Sequence, residues 1–486
     1  MAVTIPDAAV EPLKPVRLPD DASLVKYEDG RITWPSEARG DSGHAGSIRT
    51  EEIVLIAEVS GGGHVILALS QGEEGAAEPF RLSSFTARSL RQDLLDRLLL
   101  KHIPDYLAAG SESSLDVIIS SKSGTGQSQT FYDAVLQPLL GALGLWGEGA
   151  LAGVNSPAGG KVYQVTVTKD ADSVKEFSRQ RWGPDGRSGK QAGSSGTVIL
   201  LSGDGGIVDV LNGGTQPTET GPLPKIALIP LGTGNALFHS LHKPHYAASG
   251  RPPPPHLVLA LRALLRGKAS PLPTFEALFP PGSHLVEDKK GPTGTPSPVS
   301  QLTGAIVASY GFHSQLVWES DTPAYRKHGD KRFGMVAQEL IKEGHAYEAS
   351  VETSSSSSSP AAAAAALGTA RFNYILATMV SNLEKTFTIS PESRPLDGEL
   401  RLLHFGDVGG QKTMEIMMAA YNNGAHVGIE GVGYEAVEYV KVTTREEDAR
   451  WRKVCIDGTI VEIPRGGSMT VKKSPEPRLQ VLVLGA

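Results

Sequence analysis

The sequence predicts an α/β plus β protein: an N-terminal three-layer α/β domain on a parallel sheet, then a mainly antiparallel β-rich domain. Three observations predict it. From Leu115 to about Leu241, short apolar runs alternate with segments of helical spacing, the pattern of parallel strands joined by right-handed helical crossovers. Beyond the break at Arg251–Pro255, runs such as LTGAIVASYGF, RFNYILATMVS, GELRLLHF and LQVLVLG follow with few helical segments between them. Finally, the loops SKSGTG (121–126), SGDGG (202–206) and PLGTGN (230–235) each stand where a strand ends, on the sheet edge where ligands of α/β proteins bind.

Residues 1–112 read as an extension with a small β-rich subdomain. After a polar, Pro-rich start, EIVLIAEVS and HVILALS are joined by Gly61-Gly62-Gly63 as a hairpin, and RSLRQDLLDRLLLKHIPDYL has helical spacing. Residues 113–250 form the α/β domain. LDVIIS, VYQVTVT, TVILLS and KIALIPLG are its strands; TFYDAVLQPLLGAL, DADSVKEFSRQ and NALFHSL are its helices. Residues 251–486 form the β-rich domain, with disordered inserts expected near 281–300 and 352–368, the second holding SSSSSSPAAAAAALG. GPDGRSGKQAGSSG (183–196) reads as a flexible insertion within the α/β domain.

Bulk composition narrows the function classes. The 486 residues carry a net charge of −7 without a strongly basic block, which argues against nucleic acid as a partner. Cys455 is the single cysteine, so no internal disulfide forms and a reducing, cytoplasmic compartment fits. The opening MAVTIPDAAVEPLKP lacks the basic-then-apolar order of a signal peptide. No apolar run reaches the ~20 residues that span a bilayer, so membrane contact is expected to be peripheral.

Asp204 in SGDGG raises the chemical question. A strand that feeds a helix aims several N–H groups at one spot, and the helix dipole makes it anion-friendly. A carboxylate there repels phosphate, so Asp204 calls for a purpose: facing Mg²⁺, accepting a proton from an attacking hydroxyl, or acting as a structural cap. No P-loop and no GxGxxG pattern occurs in these loops.

VILLSGDGGIVDVLNGG followed by IALIPLGTGNALFHSL resembles the diacylglycerol kinase catalytic family, most closely its sphingosine (sphingoid long-chain base) kinases, with ceramide kinases next. The resemblance runs from about residue 113 to 486, with gaps at the inserts. It implies an ATP- and Mg²⁺-dependent lipid kinase whose active site lies between a nucleotide domain and a lipid domain. By motif position it implies Asp204 as general base, and Ser121, Gly124, Gly126, Thr168, Gly203, Gly205, Gly206, Asp209, Gly232, Thr233, Gly234, Asn235, Arg326, Arg332, Asp457 and Gly458 around the nucleotide. Asp204 and Asp457 are its Mg²⁺ candidates; Phe312, Gln315 and Asp321, in GFHSQLVWESD, fall in its lipid-recognition segment.

The sequence departs from that pattern. Ser120-Ser121 replaces Asn-Pro, Gly206 replaces Leu or Thr, and Asp457-Gly458-Thr459 replaces Asp-Gly-Glu. Gln315 and Val317 stand where sphingosine kinases carry the aspartates that face an ammonium, leaving Glu319 or Asp321 as substitutes. Alternatives are therefore a ceramide or diacylglycerol kinase, an NAD kinase, or a catalytically weak nucleotide- or lipid-binding relative. Asp457-Gly458 and Asp397-Gly398 also read as hairpin turns, Cys455 as a core residue, and His313 as a packing or hydrogen-bonding group. His239, His242 and His245 carry no metal expectation.

Overall fold

The computed structural model describes residues 2–35, 46–73, 75–107, 114–148, 161–183, 196–214, 222–246, 252–286, 296–329, 331–355 and 365–485. Most of the insertion at 183–196 falls outside them. A seven-stranded sheet runs, in spatial order, Leu145–Gly147, Lys161–Val167, Leu115–Ile119, Thr197–Ser202, Lys225–Pro230, Gln480–Val483 and Lys268–Pro271. All its pairings are parallel except the last.

Alternation along the central strands explains the layers. Val117, Ile119, Ile199, Leu201, Ala227 and Ile229 face one core, and Ile118, Val198, Leu200 and Ile226 the other. The first core is covered by the helical segment Ser128–Ala142 and by the helix His256–Arg266. The former contains a π turn over Tyr132–Leu136 just before Pro138, which has no N–H for the regular ladder. The latter is apolar nearly all round, because it lies between two sheets. Its outer neighbour is the N-terminal five-stranded sheet, whose Leu55, Val65 and Leu67 share that core. A three-stranded sheet from residues 26–49 packs on the other side of the N-terminal sheet. The second core lies under Ser173–Trp182 and Asp204–Asn212, and joins the α/β sheet to the β-rich part through Ala305–Val307, Leu376 and Phe405.

The β-rich part is a twelve-stranded sheet whose pairings are antiparallel. A parallel α/β sheet with a β-rich antiparallel region is thus the observed architecture. Three expectations change. The helix expected over residues 88–107 is confined to Gln92–Leu98, because Leu99 and Leu100 leave it to bond with Ile56 of the N-terminal sheet. Within the expected disordered insert, Glu352 and Thr353 pair with Ala366 and Ala365 in the hairpin Tyr347–Ser355/Ala365–Thr378, and Ser354 and Ser355 pair with Tyr439 and Val437 of the strand Val432–Thr444. Around the other insert, His284–Leu285 pairs with Ser297–Pro298. The α/β sheet also draws strands from both sides of residue 251, since Gln480–Val483 lies beside Lys225–Pro230.

Candidate active site

Four adjacent strands deliver their ends to one edge: Lys161–Val167, Leu115–Ile119, Thr197–Ser202 and Lys225–Pro230. Thr168, Ser121–Gly126, Gly203–Gly206 and Leu231–Asn235 follow directly. The loops meet backbone to backbone. A Cβ on Gly203 would stand 2.8 Å from Gly232 Cα, and one on Gly124, where φ is +53°, would strike the Leu231 carbonyl. Only glycine allows that approach at that φ. Ser123 Oγ accepts from Gly203 N at 2.7 Å, Ser121 N donates to Thr168 Oγ1 at 3.0 Å, and Ser121 Oγ donates to Thr168 O at 2.8 Å. Gly126 takes φ +75° at the end of its loop; Gly206 packs against Ser202, and the Gly205 Cα faces open space.

Asp204 is the first residue of the helix Asp204–Asn212. Its carboxylate turns to the neighbouring helix Ala236–Leu241, accepting from Ala236 N at 2.7 Å and Leu237 N at 3.1 Å. It therefore caps that helix across the loops. Burial pushes its carboxyl up to about 6, against the pull of the two N–H donors. Asn235 sits in left-handed conformation (φ 50°). Its amide accepts from Gly232 N and donates to Gly232 O, both at 2.9 Å. It holds the second glycine loop in shape. Between them, Gly234 approaches Leu383 O: a Cβ there would lie 3.0 Å from it, and 3.9 Å from Asp204 Oδ2.

Asp457 arrives from the β-rich part. With Gly458 (φ 91°) it turns the hairpin Lys453–Ile456/Thr459–Glu462, itself at φ 49°. Its buried carboxylate accepts from Ala305 N at 2.7 Å, Ile306 N at 3.0 Å and Val307 N at 2.6 Å. Burial raises it to about 7, and the Asp204 charge adds to the rise. Neither Asp204 nor Asp457 makes an ion pair among the described residues.

That donor set fits Mg²⁺. A carboxylate has about four lone-pair sites; two and three N–H donors leave free positions on Asp204 and Asp457. Mg²⁺ typically takes one or two carboxylates and keeps several waters. Asp204 and Asp457 are the residues that would hold it.

Other candidates are placed elsewhere. Asp209 pairs with Lys175 at 3.6 Å between two helices, and burial raises it to about 6. Arg326 grips Asp321 through Nε at 3.0 Å and Nη2 at 2.6 Å, and Arg332 stands 3.6 Å from the same carboxylate. Gln315 is buried and donates to Glu319 Oε1 at 2.6 Å; Arg450 binds the same oxygen at 3.0 Å. The two carboxylates expected to replace the missing aspartates, Glu319 and Asp321, are therefore each engaged by arginine. Phe312 packs into the core between the two parts. Thr233 lies in its loop without a hydrogen bond from its side chain. His313, bonded to Ser309 Oγ at 2.7 Å and lowered to about 4 by burial, is a packed residue, as is Cys455. Asp397 closes a turn. No metal-binding cluster of three or more His, Cys, Asp or Glu occurs among the described residues.

Motif reading did not find Ser123, Leu383 or the Ala305–Val307 amides. Ser123 lies inside a loop already singled out; the others reach the site only through tertiary packing.

Glycine loops thus follow adjacent parallel strands at one sheet edge, with the Asp204 carboxylate among them. Residues 156–276 match the family model of the diacylglycerol kinase catalytic domain. No curated protein matches the chain. Solved structures similar to it include a diacylglycerol kinase from Bacillus anthracis str. Sterne, 11% identical with a TM-score of 0.44 over 76% of this chain and 97% of that one. A provisionally assigned diacylglycerol kinase from the same organism is 13% identical, with a TM-score of 0.49 over the same shares. No helix among the described residues is long and apolar enough to cross a membrane.

Proposed function

We propose that the protein is an ATP-dependent lipid kinase that transfers the γ-phosphoryl group to a lipid hydroxyl, with Asp204 receiving the hydroxyl proton. The observation that carries this reading is a partly buried carboxylate, without a cationic partner among the described residues, set where three glycine loops meet. An alcohol has a pKa near that of water, about 15.7. Complete prior deprotonation by a group at about 6 would cost ~10 pKa units, or roughly 13 kcal/mol. Proton transfer therefore comes late, as a loose, metaphosphate-like phosphoryl group reaches the oxygen. Asp204 orients the hydroxyl and then takes its proton, while the loop amides hold the phosphates. Mg²⁺, when bound, supplies charge neutralisation on the phosphates.

The resemblance implies a sphingoid base as acceptor. The arginine-bound state of Glu319 and Asp321 favours an uncharged head group, of the ceramide or diacylglycerol kind, because neither acid is left to pair with an ammonium. The acceptor lies in a bilayer, so the protein works as a cytoplasmic enzyme in peripheral membrane contact. The exposed Met335, Met418 and Tyr421, on or beside the packed helices Lys331–Glu343 and Gly409–Ala419, support that contact.

The test incubates purified protein with Mg²⁺ and γ-labelled ATP against sphinganine, phytosphingosine, ceramide, diacylglycerol and NAD, and separates the products. Label in a lipid phosphate supports the kinase reading, and label in ceramide or diacylglycerol alone supports the uncharged head group. Label only in the ammonium lipids overturns that choice. ATP binding without any labelled product, or label in NAD alone, overturns the lipid kinase itself.

A further inference from the structure

A cavity among the described residues lies away from the glycine loops. It has a volume of about 930 Å³ and opens between the N-terminal extension, the helix His256–Arg266 and the segment after Gln480–Val483. That is within the ~300–1,000 Å³ range of small-molecule sites. Its lining is two-sided. Leu94, Leu98 and Leu259 give an apolar wall, and Arg31, Arg91, Arg97, Arg262 and Arg266 give a cationic one. Three carboxylates also line it: Asp93 pairs with Arg91 at 2.9 Å, Glu51 lies 3.9 Å from Arg49 with its charge also acting on Arg262, and Asp29 is the third.

Arg262 and Arg266 are one turn apart on the same helix. Arg262 donates through Nε and Nη2 to Ile53 O, at 2.9 and 2.6 Å, and through Nη2 to Thr50 O at 3.2 Å. Arg266 Nη1 donates to Arg97 O. Neither makes an ion pair among the described residues, and no donated bond uses Arg262 Nη1 or Arg266 Nη2. Burial, and repulsion from Arg266 and Arg97, bring Arg262 down to about 10. Arg262 is partly buried beside the exposed Arg31, Arg91, Arg97 and Arg266, and like charges gathered around one cavity raise the local concentration of an anion. A guanidinium fork suits a phosphate, and the leucine wall suits an attached carbon skeleton.

We propose that this cavity is a second, non-catalytic site that binds a phosphate monoester on an organic body, with Arg262 and Arg266 holding the phosphate. The source is either a soluble metabolite or a lipid head group. The full-length protein is titrated with glycerol 3-phosphate, and separately with phosphatidylcholine vesicles with and without phosphatidic acid. Binding is measured for wild type, Asp204→Asn and Arg266→Gln. Arg262 is left intact, since its backbone contacts hold the N-terminal sheet. One probe binds the wild type and Asp204→Asn alike, and Arg266→Gln weakens it about tenfold or more. Hydrogen exchange with that probe slows at 91–98 and 256–266 rather than at 203–206. Failure of both probes to bind, a Kd within about twofold in Arg266→Gln, or protection confined to the glycine loops overturns the proposal.

Discussion

Replacing Asp204 by Asn keeps the side chain's shape and removes its charge, and the surrounding contacts set what should follow. Two backbone N–H groups point at the carboxylate, from Ala236 and Leu237 at 2.7 and 3.1 Å. An amide has one acceptor oxygen, so one of these bonds is lost, at ~1.5–3 kcal/mol for a bond to a charged acceptor. The opposing term is the burial that lifts the carboxyl from 3.8 to about 6. Near neutral pH that shift disfavours the folded, ionised state by ~3 kcal/mol, a cost the neutral amide does not carry. The two terms nearly cancel, so unfolding free energy should change by no more than ~1.5 kcal/mol. Turnover should fall by about 10²–10⁴-fold, the range for loss of a positioned proton acceptor, while ATP still binds. Labelled-product assays, a nucleotide titration and urea unfolding on one preparation measure all three. A folded variant with near-normal turnover would refute the role given to Asp204. Parallel loss of ATP affinity would reduce it to a builder of the loops.

The glycine contact offers a second test. Gly203→Ala puts a methyl 2.8 Å from Gly232 Cα, so the loops must part at a cost of ~1–3 kcal/mol, and ATP affinity measured by titration should drop about tenfold. Asn235→Ala removes two hydrogen bonds to Gly232 and leaves a Cβ residue in left-handed conformation, together ~2–4 kcal/mol; a lowered melting temperature checks this. pH gives the last. Burial holds Asp204 at about 6 and Asp457 at about 7, both raised, so their contribution to stability is full below the ordinary carboxylate value and is lost as pH rises through 6 to 7. The urea midpoint of metal-free protein should fall between pH 5 and pH 8, and Asp457→Asn should flatten that fall.

The glycine loops were legible because each is written in consecutive residues: apolar strand, glycines, helix. Their convergence followed from the parallel topology alone. What Asp204 and Asp457 bond to was not legible, since Ala236, Leu237 and Ala305–Val307 present backbone amides, which no residue type announces. Arg326 and Arg332 were assigned by motif position, whereas the bidentate contact that holds Arg326 comes from Asp321, five residues earlier in the chain. The Ser/Ala tract hid its strands for a different reason. Small residues carry no burial signal, yet Glu352 and Thr353 pair with strands on both sides. LQVLVLG read as another strand of the β-rich part because a short apolar run does not say which sheet it joins.

That last strand has a consequence for biogenesis. Lys225 pairs with Gln480, and Lys268 with Val483, so the sheet bearing the glycine loops stays open until the ribosome has made residue 483. An earlier release would leave the Lys225–Pro230 edge bare, a template for aggregation. Assembly of that sheet therefore waits on a strand made more than two hundred residues after its neighbour, and gains that strand's cover only once residue 483 has been synthesised.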